Sequence, residues 1–265
     1  MKSYSEKLRA FSAAHPCGRV TAAGASFRYV LCGAGERTLV LLNGGMNTLE
    51  MWMDYVDDLA RDSRVLLFDY PRELKTNQAQ AAGMHALFER LGIQKPIFVG
   101  ASDGGMVAQI YVQKYPGETG GLVLISTGGM DERTLRSLKK KYRLAPLMLW
   151  YMKHCNYEKL KPRLIRASLS HLRNESPEEI AYARDMFETI FRDYPQEKDV
   201  HISTLLADLM NQKPVTAADF SALAGKILLI LPDQDFFPGR CSRTSSASCT
   251  SPRSSVSPGD TWAPC

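Results

Sequence analysis

Short apolar runs alternate with amphipathic stretches through the first half of the chain. The runs RTLVLLNGG (37–45) and RVLLFDYP (64–71) are almost wholly apolar until they end in turn residues, as strands buried on both faces are. SFRYVLCG (26–33) alternates apolar and polar positions, and GLVLIST (121–127) is another apolar run. Helical patterns such as AAGMHALFERLG separate them. The alternation predicts an α/β fold with a mainly parallel sheet flanked by helices.

The strand pattern stops at about residue 130 and helical patterns replace it. One of them, SPEEIAYARDMFETIF, begins with Ser176 as N-cap, Pro177 in the first turn and Glu179 completing a capping box. The apolar run GKILLILPDQDFFPG (225–239) then returns to the sheet. We therefore predict an inserted helical cap over residues 130–224.

The last 26 residues differ in composition from the rest of the chain. Residues 240–265 are rich in Ser, Cys, Pro and Arg, contain one Val and lack Leu, Ile, Met and Phe. Such a segment supplies neither a buried strand nor an amphipathic helix. The predicted organisation is a first core part (1–129), the cap, a core strand with a polar turn (225–239) and an aberrant or disordered tail.

Charge and targeting signals exclude several classes of function. The 33 Lys and Arg are nearly balanced by 28 Asp and Glu, and the one dense basic run, RSLKKKYR (136–143), fits a solvated helix face better than a nucleic-acid patch. The polar amphipathic N-terminus has no apolar signal region, and no long apolar span follows. No Cys/His pattern with metal-ligand spacing occurs. We expect a cytoplasmic protein without cofactor, metal, nucleic-acid partner or membrane partner.

The stretch PIFVGASDGGMVAQ contains the most specific motif in the chain. Residues 100–104 read Gly-Ala-Ser-Asp-Gly, a G-x-S-x-G sequence that follows a predicted strand and opens a predicted helix. In that context the motif places a serine on a sharp turn where its hydroxyl is exposed, and the flanking glycines avoid collisions with neighbouring elements. Ser102 is therefore the candidate nucleophile.

With this motif the chain resembles the α/β-hydrolase superfamily over about residues 26–239. The family's "HG" pair after the third strand is matched by LLNGGMN, with Asn43 in place of the histidine. The resemblance implies an oxyanion hole formed by the backbone N–H groups of Gly45 and Asp103. FVGASDGGMVAQ and LLFDYP also resemble the maspardin-like branch, some of whose members do not keep a full triad.

Members of this superfamily carry the catalytic acid and then the histidine after the serine. LPDQDFF resembles the turn that carries the acid, and Asp235 stands at the matching position, with Asp233 as second and Asp131 as third candidate. All five histidines precede Asp235; they are His15, His85, His154, His171 and His201. None matches the family position, so the base is missing, with His154 and His201 in the cap as remote candidates.

A shift of reading frame offers one explanation of both the tail and the missing base. GDTWAPC can be encoded as GGG GAC ACC TGG GCA CCC TGC, and the frame two bases on reads Gly-His-Leu-Gly-Thr-Leu. A Gly-His pair of that kind is how many family members present the catalytic histidine. A genuine Ser-rich extension is the alternative.

The resemblance implies a serine hydrolase of ester or similar carbonyl substrates. In this chain the catalytic activity is expected to be impaired, because no histidine follows the acid. The alternative is a non-catalytic binding or scaffold protein on the same fold. A cap that brings Leu147, Met148, Trp150 and Tyr151 near the pocket suits a partly apolar small molecule. The last strand and its covering helix are expected to be missing, leaving an unpaired edge, poor solubility and low thermal stability.

Overall fold

The computed structural model describes residues 2–170, 172 and 176–231. In this part of the chain the strands form a seven-stranded sheet in the order β1-β2-β4-β3-β5-β6-β7. Their bounds are β1 Gly18–Ala22, β2 Ala25–Cys32, β3 Thr38–Leu42, β4 Arg64–Phe68, β5 Ile97–Ala101, β6 Gly121–Ile125 and β7 Ile227–Ile230. The β1–β2 and β2–β4 pairs are antiparallel and all others are parallel. The predicted mainly parallel sheet is confirmed.

Helices follow most strands, as the alternation predicts. Their bounds are α1 Tyr4–Ala14, α2 Val56–Leu59, α3 Asn77–Leu91, α4 Asp103–Lys114, α5 Glu132–Lys141, α6 Ala145–His154, α7 Tyr157–Ser170, α8 Pro177–Arg192 and α9 Gln196–Leu209. The segment EMWMDYVDDLARD (50–62) after β3 has the pattern of one helix, but a 3₁₀ turn (Leu49–Trp52) and the short α2 stand there. Strand β1, which no apolar run marks in the sequence, pairs with β2.

Side chains of the central strands alternate between two apolar layers. Val40 and Leu42 of β3 pack on one face of the sheet with residues of α3, α4 and α9. Leu41 points to the other face and packs with residues of α1, α2 and α8. Each of these β3 side chains is fully buried. The near-continuous apolar runs in the sequence are thus explained by helices covering both faces.

Between β6 and β7 the described chain is helical, from α5 to α9 and a 3₁₀ helix at Ala217–Leu223. The predicted start of α8 is confirmed, because Ser176 and Glu179 exchange the hydrogen bonds of a capping box with Pro177 in the first turn. Helix α9 is tied to α3 through Asn77, whose N–H donates to Asp208 Oδ2 at 2.7 Å and whose Nδ2 donates to the Leu205 carbonyl at 2.8 Å. Hydrogen bonds therefore fix this helical segment to the core.

Strand β7 is the outermost strand of the sheet on its side within the described residues. It pairs with β6 alone, and Leu228 and Ile230 remain 50% and 44% exposed. An apolar strand so exposed is a predicted site of association. The predicted loss of a further strand and helix, and the predicted tail, concern residues outside the described part. None of the described helices has the length and apolar character needed to cross a bilayer.

Candidate active site

Ser102 lies in the turn between β5 and α4, at the carboxyl ends of the parallel strands. Its backbone has φ +51° and ψ −118°, a combination that non-glycine residues rarely adopt. Such a conformation costs about 1–3 kcal/mol and persists only where the surroundings impose it. The predicted sharp strand–turn–helix is therefore present at the motif, and the Ser102 side chain is partly exposed.

Three glycines around Ser102 are required by close packing. A Cβ on Gly104 would lie 2.3 Å from the Leu42 carbonyl oxygen, and one on Gly100 would lie 2.7 Å from the backbone of α4. A Cβ on Gly105 would meet the Thr127 side chain at 2.7 Å. No side chain fits at these distances, so the glycines let α4 approach β3 and β5 directly.

Hydrogen bonds hold the turn on both sides of Ser102. Its N–H donates to the Ile125 carbonyl at 3.0 Å, and its own carbonyl accepts from Thr127 Oγ1 at 2.5 Å and from the Gly105 N–H at 3.1 Å. Ile125 and Thr127 lie at the end of β6 and just beyond it. The neighbouring strand therefore stabilises the strained residue, and the sequence motif gives no hint of Thr127.

The loop after β3 passes close to Ser102. A Cβ on Gly44 would lie 3.5 Å from the Ser102 Cβ, which places this loop against the candidate nucleophile. Tyr70 fixes the loop, because its hydroxyl donates to the Asn43 carbonyl at 2.9 Å and its N–H donates to Asn47 Oδ1 at 2.6 Å. Asn47 Nδ2 donates back to the Tyr70 carbonyl at 3.0 Å. Tyr70 and Asn47 thus position the predicted oxyanion loop.

Asn43 stands where the resemblance predicts a histidine. It is fully buried, and its Nδ2 donates to the Phe68 carbonyl at 2.7 Å. This bond joins the end of β3 to the end of β4. The Asn43 side chain therefore links the ends of the two strands.

The two predicted oxyanion donors lie on the two segments that meet at Ser102. Asp103 is the first residue of α4, where backbone N–H groups have no partner within the helix. Gly45 is exposed and has open space around its Cα. The Gly44 N–H instead faces Met51 Sδ at 3.3 Å. The positive end of α4 also favours negative charge near Ser102.

The Asp103 side chain is a buried carboxyl group beside the candidate nucleophile. The residue is 4% exposed, and neither carboxyl oxygen has a hydrogen-bond partner among the described residues. Burial raises the pKa of Asp103 to about 7. Burial and then the nearby Asp103 charge raise the pKa of Tyr70. An acid that changes charge near neutral pH therefore lies directly after Ser102.

A family model described as the alpha/beta hydrolase fold matches residues 37–196, more than half of the chain. The chain belongs to the alpha/beta hydrolase family. The match runs from β3 through the Ser102 turn and into the helical segment.

Curated relatives of this alpha/beta hydrolase are themselves hydrolases. A pimeloyl-[acyl-carrier protein] methyl ester esterase of Edwardsiella ictaluri is 30% identical over 99 residues, covering 36% of this chain and 38% of the relative. A 2-hydroxy-6-oxononadienedioate/2-hydroxy-6-oxononatrienedioate hydrolase of Paraburkholderia phymatum is 33% identical over 115 residues, covering 38% and 40%. The matches span about two fifths of these relatives' lengths.

Solved structures with the same fold extend over most of the alpha/beta hydrolase chain. A hydrolase from Pseudomonas aeruginosa PA01 has a TM-score of 0.59 at 17% identity and covers 88% of this chain and 96% of its own. A thermophilic esterase from Thermogutta terrifontis has a TM-score of 0.64 at 16% identity and covers 88% and 86%. At such identities the likeness shows the fold alone.

The described histidines of this alpha/beta hydrolase all have partners elsewhere. His15 bonds to Asp57 at 2.8 Å, His85 faces Glu118 at 3.1 Å, and His154 stacks on Trp150 in the exposed helix α6. His201 is buried and donates from Nε2 to the Leu74 carbonyl at 2.9 Å. Burial lowers the pKa of His201, although that hydrogen bond opposes the shift. No hydrogen bond or ion pair joins Ser102 to any of these four.

Of the three candidate catalytic acids, only Asp131 lies within the described residues. Asp235 and Asp233 lie outside the described residues, as does His171. Asp131 is the N-cap of α5, where its carboxylate accepts from the Thr134 N–H at 3.0 Å and from Thr134 Oγ1 at 2.6 Å. That capping role accounts for Asp131 without a catalytic function.

The start of α9 contacts the same end of the sheet as Ser102. The Tyr194 hydroxyl donates to the Met46 carbonyl at 3.0 Å, directly beyond Gly45. Lys198 lies 3.9 Å from Asp69, whose carboxylate also pairs with Arg28 at 2.7 Å. Burial lowers the pKa of Lys198, and Asp69 opposes this shift. The helical segment is thus anchored beside the predicted oxyanion loop.

The apolar side chains expected near a pocket are on the surface instead. Leu147, Met148, Trp150 and Tyr151 are between 45% and 62% exposed on α6. One groove of about 660 Å³ lies between α7 and α8, and another of about 790 Å³ lies beside His201, between α9 and the loop after β4; Ser102 lines neither. The prediction of a partly apolar substrate therefore gains no support from these side chains.

Proposed function

We propose that this chain is built as a serine hydrolase of ester or similar carbonyl substrates, with Ser102 as the nucleophile. The observation that carries the proposal is the strained Ser102 backbone, held between β5 and α4 by glycines that no other residue can replace. Strain of this kind is concentrated at functional sites. The hydrolase relatives are consistent with this chemistry.

In this proposal the Ser102 hydroxyl attacks the substrate carbonyl carbon. The backbone N–H groups of Gly45 and Asp103 donate hydrogen bonds to the carbonyl oxygen and stabilise the negative charge that develops on it. The alcohol then leaves with a proton, and water hydrolyses the acyl-serine. The helices of residues 130–224 are proposed to cover the site as a cap.

A base is needed to take the Ser102 proton, and Asp235 is proposed to orient a histidine for that task. No histidine follows Asp235 in this sequence. We attribute its absence to a shifted reading frame after about Arg240. Loss of the base lowers the rate by about 10⁴-fold or more, so this chain is expected to be nearly inactive.

The test compares two proteins in hydrolysis of a p-nitrophenyl ester. One is the chain as printed, and the other is translated from the same gene in the alternative frame from about the Arg240 codon onward. The second is expected to hydrolyse the ester with a pre-steady-state burst, and Ser102→Ala abolishes the burst while the control Ser203→Ala keeps it. A folded second protein without a burst would contradict the proposal.

A non-catalytic binding function on the same fold is the second candidate. The histidine contacts favour it, because each described histidine is engaged away from Ser102. On this alternative both proteins remain inactive and Ser102→Ala changes nothing. Genomic DNA that encodes residues 240–265 without interruption would also favour it.

A further inference from the structure

Helix α6 carries a contiguous apolar surface. Five large apolar side chains on it and at its start are 45–64% exposed: Leu144, Leu147, Met148, Trp150 and Tyr151. Four of them recur at spacings of three and four residues, so they share one side of the helix. We call these five residues the α6 apolar face. Single exposed apolar residues are ordinary, but a contiguous group of this size marks an interaction site.

The other side of α6 is fixed to α9. Gln196 Nε2 of α9 donates to the Met152 carbonyl at 2.5 Å, and Ser203 Oγ lies 3.5 Å from Met152 Sδ. Because α6 is attached to α9 on that side, the helix that carries the α6 apolar face is held in place. Within the described part of the chain no residue covers it.

Basic residues border the α6 apolar face. Lys139, Lys140 and Arg143 directly precede it, all three are exposed, and none pairs with an acidic residue among those described. Residues 131–170 contain 11 Lys and Arg against 3 Asp and Glu, whereas the whole chain has 33 against 28. The remainder of the protein is therefore net acidic, and its positive charge is concentrated around this face.

We propose that the α6 apolar face and its basic border dock the protein on an anionic lipid bilayer surface. Leucine and methionine side chains enter the acyl boundary, Trp and Tyr favour the headgroup level, and Lys and Arg bind anionic headgroups. Helix α6 has 10 residues and is about 15 Å long, so it lies in the interface instead of spanning the bilayer.

Other occupants fit this surface less well. A nucleic acid uses the positive charges but leaves Leu144, Leu147 and Met148 exposed to water. A second copy packed on the same face brings two clusters of positive charge together. A lipid surface satisfies the charge and the apolar area at once. This proposal differs from two expectations drawn from the sequence. They were that residues 136–143 form a solvated helix face and that the protein has no membrane partner.

The test is co-sedimentation of the full chain with phosphatidylcholine vesicles, with and without phosphatidylserine. We expect binding to the anionic vesicles to be at least about tenfold stronger and to weaken with salt. Lys139→Glu with Lys140→Glu, or Leu147→Ser with Trp150→Ser, is expected to lower this binding about tenfold or more. The controls Arg19→Glu with Arg37→Glu, and Leu206→Ser, change the same charge or an exposed leucine elsewhere and retain most of it.

A second measurement uses tryptophan fluorescence and needs only a conservative variant. Anionic vesicles are expected to shift the emission to shorter wavelength, and Trp150→Phe removes the shift. Equal loss of binding in the Arg19/Arg37 control would overturn the proposal in favour of a general charge effect. Absence of vesicle binding by the folded chain would also overturn it, whether accompanied by binding to a DNA oligonucleotide or by dimerisation through Trp150. Ser102→Ala binds vesicles normally, so the proposed catalytic function is tested separately.

Discussion

The Ser102 turn and helix α6 show two opposite ways in which this chain departs from an ordinary globular surface. At the turn the backbone is strained, and Gly100, Gly104 and Gly105 are fixed by contacts shorter than a side chain allows. On α6 the backbone is ordinary, and large apolar side chains are exposed to solvent. Backbone strain imposed by packing is typical of a catalytic site, whereas exposed apolar side chains on an unstrained helix are typical of a surface that binds a partner. The two features call for different experiments.

Gly104→Ala is expected to have the largest effect on stability. The new Cβ would lie 2.3 Å from the Leu42 carbonyl oxygen, and neither backbone can yield without opening the β3–α4 contact. We expect a loss of about 4 kcal/mol in the free energy of unfolding, at the upper end for overpacking. Gly45→Ala is the matched control, since a Cβ there has open space. Equal melting temperatures of Gly104→Ala and Gly45→Ala would contradict the tight packing of the turn at Gly104.

Asp103→Asn tests the charge beside the nucleophile. Because burial raises the pKa of Asp103 from 3.8 to about 7, the native protein binds this proton more tightly than the unfolded chain. Stability from this group is therefore greatest below pH 4, declines as the pH rises to about 7, and is constant above that.

The stability of the Asp103→Asn variant is not expected to decline with pH in this way. Relative to the parent chain it is expected to gain roughly 2–3 kcal/mol between pH 5 and pH 8, as an upper bound. Urea unfolding at several pH values measures the gain. Asp131→Asn, at an N-cap on the surface of α5, is the control and is expected to show no such gain. Parallel stability curves for the parent and Asp103→Asn would mean that the carboxylate has partners in the folded protein.

Thr127→Val removes the hydroxyl that donates to the Ser102 carbonyl at 2.5 Å and keeps the shape of the side chain. We expect a loss of about 1 kcal/mol in stability, which is the usual net contribution of one hydrogen bond. The reactivity of Ser102 is expected to fall further than that of a variant similarly destabilised elsewhere, for which Thr204→Val serves, since it removes a hydroxyl that donates to the Val200 carbonyl at 2.7 Å. An unchanged Ser102 reactivity would show that the turn holds its conformation without Thr127.

Leu228→Thr on β7 is expected to have the smallest effect on stability. The side chain is half exposed, so the change in unfolding free energy should stay within about 0.5 kcal/mol. The onset of aggregation on heating is expected to move upward, because an exposed apolar strand promotes association. Leu124→Thr on the adjacent strand, where the side chain is buried, provides the contrast and is expected to destabilise strongly.

Features set by local sequence could be predicted well. The strands β3, β4 and β6 follow from apolar runs, and the capping box of α8 follows from Ser176 and Glu179. The Ser102 turn follows from the spacing of Gly100 and Gly104. In each case the physical cause lies within a few residues of the element it explains.

Features set by distant contacts could not be predicted. Tyr70 and Thr127 position the site through hydrogen bonds to residues 23–27 positions away, and no motif marks them. Strand β1 is formed by antiparallel pairing with the outer edge of β2. Helix α6 is apolar around most of its circumference, so its pattern does not tell which side packs on α9 and which side, with Trp150, stays exposed.

The most direct test of the central claim is the rate at which a fluorophosphonate probe labels Ser102, read by peptide mass spectrometry. The claim predicts slow labelling of the printed chain at Ser102, and labelling several orders of magnitude faster when the alternative frame supplies a histidine after Asp235. Ser102→Ala is expected to remove the label in both. A folded protein with the restored histidine that stays unlabelled, or is labelled on another serine, would contradict the claim.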